Sequence, residues 1–189
     1  VILFQREIRQ MLERFNPLKT MGIKHRSTED DWFPDFAAWA FDAAKKKIGA
    51  VIVFERADLV FDLITKGITM ESDPVPAILN TIFYKESPLH DGAIVVSNGK
   101  ILKTSCYLPL TTREDLPQEW GTRHRASIGL TEQCDAWVMI ISEERGEVSF
   151  AVDNDIKKVR DEKELLSVLG DLAHRTKDSD ASIMEKIKP

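Results

Sequence analysis

The dipeptide Asn98-Gly99 lies between two strand-like runs, residues 93–97 and 100–108, and constrains this chain more than any other feature. Asn-Gly is a preferred two-residue connection of a β-hairpin, because both central residues must take positive φ. A second turn, Glu143-Glu144-Arg145-Gly146, joins the apolar run 136–141 to residues 147–152. Two hairpins exclude an all-parallel sheet, since parallel neighbours need long crossovers.

The rest of the chain supplies helices and one more buried strand. Phe33, Phe36, Ala37, Ala40, Ala44 and Ile48 recur at helical spacing, with Asp31 placed to cap the helix and Gly49 to end it. Residues 50–54 then read as a fully apolar strand. Pro74-Val75-Pro76 starts a helix to about Tyr84. Thr122 is placed to cap a helix through 123–133, and residues 163–173 form a last amphipathic helix. Phe4, Ile8, Met11, Leu12 and Phe15 mark a helix that Asn16-Pro17 stops, and residues 17–31 read as a flexible polar loop. Residues 58–69 fit neither period, and Gly67 interrupts them. The expectation is an α/β fold: a single domain of residues 1–174, with a mixed central β-sheet of about five strands flanked by about five α-helices, and a tail at 175–189.

Bulk properties narrow the function classes. A net charge of −5 excludes a broad basic coat for nucleic acid, so no nucleic-acid partner is expected, but it permits one basic cleft. No apolar run approaches the roughly 20 residues that span a bilayer. Cys106 and Cys134 form no Cys-x-x-Cys pair and read as buried, reduced thiols. The opening Val1-Ile2-Leu3-Phe4 looks cut from something longer. Six Lys/Arg against two Glu up to Arg26 fit a segment just inside a membrane, though from the charge alone a solvated helix face is the favoured account.

Two stretches carry candidate chemistry. In Ser87-Pro88-Leu89-His90-Asp91-Gly92-Ala93, an imidazole and a carboxylate adjoin at the lip of a strand. Asp91 could bind a divalent cation or orient a hydroxyl, with His90 as a second metal ligand. The small Gly92 and Ala93 let a ligand approach the backbone. The plain alternative is an aspartate closing a turn. In Gly121-Thr122-Arg123-His124-Arg125, a helix start gathers two guanidinium groups and an imidazole. Arginine is unfavourable at a helix N-terminus unless an anion answers it, so this stretch reads as a phosphate site ahead of its plain alternative, a charged helix start solvated on one face. Ser142 and Glu143 stand at a strand end, where a polar turn is the simpler account. Tyr107 and Leu108 could seat a base or simply belong to the core. The sequence has no Gly-x-x-x-x-Gly-Lys-Ser/Thr loop, no Gly-x-Gly-x-x-Gly and no Gly-x-Ser-x-Gly.

Taken together and in order, Asp91-Gly92-Ala93, Cys106-Tyr107-Leu108-Pro109-Leu110, Gly121-Thr122-Arg123-His124-Arg125-Ala126 and Ser142-Glu143-Glu144 resemble the signature of the diadenylate cyclases. Ser127 and Thr131 are mild departures from that pattern. The resemblance implies a nucleotidyltransferase that makes cyclic di-AMP from two ATP, with Mg²⁺ or Mn²⁺. It implies catalytic roles for Asp91, Gly92, Ala93, Arg123, His124 and Arg125, and nucleotide contacts from Tyr107, Leu108, Gly121, Thr122, Arg123, Ser142 and Glu143. His90 and Asp91 are the implied metal ligands. A homodimer is implied because the product has two-fold symmetry. The first residues resemble the membrane-anchored branch, which works at the cytoplasmic face of the bacterial cell membrane. A non-catalytic sensor of ATP or cyclic di-AMP and a metal-dependent phosphohydrolase remain alternatives.

Overall fold

The computed structural model describes residues 32–173. The helix expected over 4–15, the loop over 17–31 with its capping Asp31, and the tail at 175–189 lie outside the described residues.

Among the described residues the chain runs α1 (Phe33–Lys45), β1 (Ala50–Phe54), a 3₁₀ turn (Val60–Asp62), β2 (Thr65–Ser72), α2 (Pro76–Phe83), β3 (Ala93–Ser97), β4 (Lys100–Tyr107), α3 (Thr122–Thr131), β5 (Trp137–Ile141), β6 (Val148–Val152), β7 (Asp155–Val159) and α4 (Glu162–Ala173). One seven-stranded sheet has the order β2-β4-β3-β1-β5-β6-β7. Only β1 and β3 are parallel; every other neighbouring pair is antiparallel. The mixed sheet, both hairpins and the four expected helices that fall within the described residues are all present, but the sheet has seven strands rather than about five.

The two extra strands are the sheet edges. On β2 the residues alternate weakly between exposed and half-buried, Lys66 and Gly67 both take positive φ, and the register against β4 shifts between Thr69 and Ser72. On β7 the sequence is Asp-Ile-Lys-Lys-Val, too polar to read as a strand. Its turn, Asp153-Asn154, takes positive φ at both residues (48° and 67°), as a tight hairpin requires.

The strands β1, β3 and β5 are buried on both faces, which explains their unbroken apolar runs. Ala50, Ile52 and Phe54 face a core built with α1, α2 and α4, including Phe36, Leu79, Phe150 and Leu165. Val51 and Val53 face the opposite core with Ala93, Cys106, Leu130 and Val138. The described residues therefore form three layers, with α3 alone on one side of the sheet.

Helix ends differ from the sequence expectation in two places. Helix α1 ends earlier: Lys47 takes φ 55°, and the amides of Lys47 and Ile48 donate to the Ala44 and Ala43 carbonyls. A lysine in the left-handed conformation thus closes the helix, and Gly49 already leads into β1. Helix α3 begins one residue earlier than expected. Gly121 is its N-cap, Thr122 lies inside the first turn, and no side chain caps the end.

Candidate active site

Strand direction brings the candidate residues together. Because β1 and β3 are parallel and β4 and β5 run against them, the starts of the first pair and the ends of the second share one edge of the sheet. The register pairs Ala50 with Ile141 and Ala93 with Cys106. Asp91 and Gly92 before β3, Tyr107 and Leu108 at the end of β4, and Ser142 and Glu143 after β5 therefore lie at the same end. The first turn of α3 covers that end from one side. Between them is a cleft of about 390 Å³, lined by Asp91, Gly92, Ala93, Tyr107, Leu108, Thr122 and Arg123, with Val51, Cys106, Leu110 and Ala126 as its apolar floor and rim.

The carboxylate wall depends on a close backbone approach. Gly92 takes φ +107°, and a Cβ there would lie 2.8 Å from the Cys106 carbonyl oxygen. Only glycine fits that conformation and that gap. Opposite it Ser105 also takes positive φ, and its hydroxyl donates to the Leu89 carbonyl at 3.0 Å, tying the loop before β3 to β4. Asp91 is exposed, and its Oδ2 accepts the Tyr107 hydroxyl at 2.8 Å. That hydrogen bond, and the negative charge beside it, hold the Tyr107 phenol above its ordinary pKa of 10.0, so it stays a donor. The Lys66 ammonium sits 4.5 Å from the centre of the Tyr107 ring.

His90 is oriented by its own loop. Its Nδ1 lies 2.6 Å from the Ser87 carbonyl oxygen. A carbonyl only accepts, so Nδ1 carries the proton, and Nε2 is the ring nitrogen this contact leaves free.

The cationic wall is the start of α3. The amides of Thr122 and Arg123 make no backbone hydrogen bond among the described residues, while those of His124 and Arg125 are taken by the Gly121 carbonyl. Such amides at the positive end of a helix form an anion seat. Arg123 lines the cleft, and its Nη1 lies 3.0 Å from Glu143 Oε2. A Cβ on Gly49 would come within 2.8 Å of both partners, so the absent side chain of Gly49 makes room for the pair.

Arg123, His124 and Arg125 do not converge on one point. Successive residues on a helix point about 100° apart. His124 is buried and turns away from the cleft, stacking on Trp120 with ring centres 5.8 Å apart. Its Nε2 is 3.2 Å from Arg145 Nη2. Burial first, then the Arg145 charge, push its pKa down to about 4 against a partial offset from Glu147. Arg125 donates instead to the Arg113 carbonyl at 2.9 Å and accepts the Thr111 amide on its own carbonyl, stapling the loop after β4 onto α3. Ser142 is buried, and its hydroxyl accepts the Arg145 amide at 3.3 Å inside the hairpin turn. Of the anion-site residues expected from sequence, Thr122 and Arg123 line the cleft. His124, Arg125, Gly121, Ser142 and Glu143 stand behind or beside it. No sequence motif singles out Arg145 or Gly49, which the structure brings against His124 and Arg123.

No three His, Cys, Asp or Glu side chains gather as a metal site among the described residues. The cleft lining supplies one carboxylate, Asp91, and the adjoining His90, which is not itself a lining residue, adds an imidazole Nε2 from the same loop. That set fits a hard divalent cation that takes its remaining ligands from phosphate and water.

A mixed sheet covered on both faces, with Asp91 and the first turn of α3 flanking a cleft at one end, defines an α/β domain. The chain belongs to the DisA bacterial checkpoint controller nucleotide-binding family, whose model matches residues 39–156. It is 40% identical over 135 residues to a diadenylate cyclase of Mycoplasma pneumoniae, covering 71% of this chain and 66% of that protein. It is 33% identical over 172 residues to the cyclic di-AMP synthase CdaA of Bacillus subtilis, covering 89% of this chain and 63% of that protein. The chain thus spans just under two thirds of the length of these two relatives. Among solved structures it is similar to a double cysteine mutant of DacA from Staphylococcus aureus, with a TM-score of 0.71 and 34% identity, covering 75% of this chain and 95% of that one. A hypothetical membrane-spanning protein from Bacillus cereus gives a TM-score of 0.66 at 32% identity, covering 83% and 78%.

Proposed function

We propose that this chain is the catalytic domain of a diadenylate cyclase, which condenses two ATP into cyclic di-AMP and two pyrophosphates. The observation that carries the reading is the pairing of Asp91 and Arg123 across one cleft, in a chain of this family.

Each cleft holds one ATP. Leu108 and the Tyr107 ring offer the apolar seat for adenine. The amides of Thr122 and Arg123 and the Arg123 guanidinium take the triphosphate, which competes with Glu143 for that guanidinium. Asp91 accepts the ribose 3′-hydroxyl proton. The freed oxygen bonds to the α-phosphorus of a second ATP, the bond from that phosphorus to its bridging oxygen breaks, and pyrophosphate leaves. A second, equivalent displacement closes the ring. Catalysis of this kind is positioning plus charge neutralisation. His90 Nε2 and Asp91 would hold Mg²⁺ or Mn²⁺ together with the phosphates, and the ion when bound offsets charge on the departing pyrophosphate.

One cleft supplies a hydroxyl and the other an α-phosphate, so two copies must meet face to face. A two-fold homodimer satisfies both displacements at once. The same reading puts the domain at the cytoplasmic face of a bacterial membrane, through a segment outside this sequence. Among the described residues no helix is long and apolar enough to cross a membrane.

The test is a product assay with ATP and Mg²⁺ or Mn²⁺. Cyclic di-AMP and pyrophosphate are expected, with a rate per enzyme that climbs as enzyme concentration rises through the monomer–dimer range. ADP and phosphate would instead identify a hydrolase, and bound but unchanged ATP a sensor.

A further inference from the structure

We propose that Arg145 is a positioning residue for the cleft, acting through His124 to fix the first turn of α3 and so the guanidinium of Arg123. This inference rests on the reading of Arg123 as a phosphate ligand.

The turn between β5 and β6 grips α3 at two successive residues. Glu143 pairs with Arg123 at 3.0 Å, and Arg145 reaches His124 at 3.2 Å. The second contact has a defined sense. A guanidinium has donors and no acceptor, so His124 Nε2 must accept and the ring proton sits on Nδ1. The imidazole is buried and stacked on Trp120, which leaves it one orientation.

Arg145 is itself held on every side. Its amide donates to Ser142 Oγ at 3.3 Å, its Nε lies 3.4 Å from Glu147 Oε2, and its Nη1 lies 4.0 Å from Glu119. Glu147 is anchored in turn by Lys158 at 2.7 Å. These contacts fix where Arg145 Nη2 is presented, and therefore where His124 sits. Arg123 adjoins His124 in the chain, so any rotation of the helix start that lets His124 drift carries Arg123 with it. Little drift is tolerable, because Arg123 is packed against the bare backbone of Gly49. The Arg-His-Arg stretch thus works as one ligand arm, Arg123, and two anchors.

The experiment measures binding of α,β-methylene-ATP, which cannot release pyrophosphate, by calorimetry on the intact chain. Arg145→Met should weaken binding on the order of tenfold, the loss of one charge-assisted contact's worth of order. In the Arg123→Ala background the same change should add less than about twofold, because the arm it positions is gone. His124→Gln keeps an acceptor at the ε position and should bind within about threefold of the parent, whereas His124→Leu should match Arg145→Met. Equal losses with and without Arg123, or undiminished binding by Arg145→Met, would overturn the proposal. A parent protein that binds the analogue and shows this pattern, yet makes no cyclic di-AMP, would support the clamp and refute the cyclase. A parent that does not bind the analogue would overturn both.

Discussion

The Tyr107 hydroxyl donates a 2.8 Å hydrogen bond to Oδ2 of Asp91, joining the last residue of β4 to the loop that enters β3. The bond crosses the cleft wall at the point where the proposed nucleophile must be activated. It holds the carboxylate in one orientation while leaving its second oxygen for substrate. Tyr107→Phe keeps the ring and removes only this bond. We expect kcat to fall roughly tenfold with KM for ATP changed less than about threefold, as for a group that positions the base. Tyr107→Ala should raise KM as well, since the adenine seat goes with the ring. Steady-state kinetics on both variants separate the two effects.

Gly49 makes a second prediction, on specificity of effect. A methyl group there would come within 2.8 Å of the Arg123 guanidinium and the Glu143 carboxylate. Both are ends of flexible side chains, so the fold can absorb the change by displacing them. Gly49→Ala should therefore weaken nucleotide binding by roughly fivefold while costing under about 1 kcal/mol of stability. Calorimetry of nucleotide binding beside urea unfolding measures both.

Gly129 behaves oppositely. A Cβ on it would lie 2.3 Å from the Pro109 carbonyl oxygen and 2.6 Å from the Thr111 amide nitrogen. These are backbone atoms of the loop that Arg125 staples to α3, and they cannot swing away. Gly129→Ala should destabilise the domain by about 2–4 kcal/mol. A urea midpoint unchanged from the parent would show that the loop is free to move.

The His124 environment gives a signed pH dependence. Its pKa is depressed from 6.5 to about 4 by burial and by the Arg145 charge. Above pH 6.5 both folded and unfolded chains carry it neutral, and its contribution to stability is complete. As pH falls from 6.5 towards 4 the unfolded chain takes up a proton that the folded chain refuses, so stability is lost over that window, by up to about 3 kcal/mol. His124→Gln should flatten that part of the stability–pH curve. An identical slope in parent and variant would place the titration elsewhere.

Much of this architecture is legible in the sequence because the decisive signals are local. Strand β1 and strand β3 have the bounds that their apolar runs announce, and Asn98-Gly99 marks the turn from β3 into β4. The edges escape such reading. On β2 only one ladder holds the strand, its faces are half-exposed, and positive φ at Lys66 and Gly67 with a register shift between Thr69 and Ser72 scrambles alternation. On β7 the polar sequence hides the strand, although Asp153-Asn154 is a turn signal of the same kind as Asn98-Gly99. At the site, the motifs name the right end of the sheet, but a string of letters does not show direction. Arg123, His124 and Arg125 read as one cationic cluster, whereas helical geometry sends them to the cleft, the β5–β6 turn and the loop after β4 in turn. Arg145 is invisible in sequence because its partner is 21 residues away and its motif neighbours are the glutamates.

The role of Asp91 is tested most directly by Asp91→Asn, with synthesis and nucleotide affinity measured on the same preparation. The amide keeps the shape and an acceptor for Tyr107 but cannot take a hydroxyl proton. The account predicts that cyclic di-AMP formation falls at least about a thousandfold while α,β-methylene-ATP binds within about threefold of the parent. Synthesis at near-parent rates, or binding lost in the same proportion as synthesis, would contradict it.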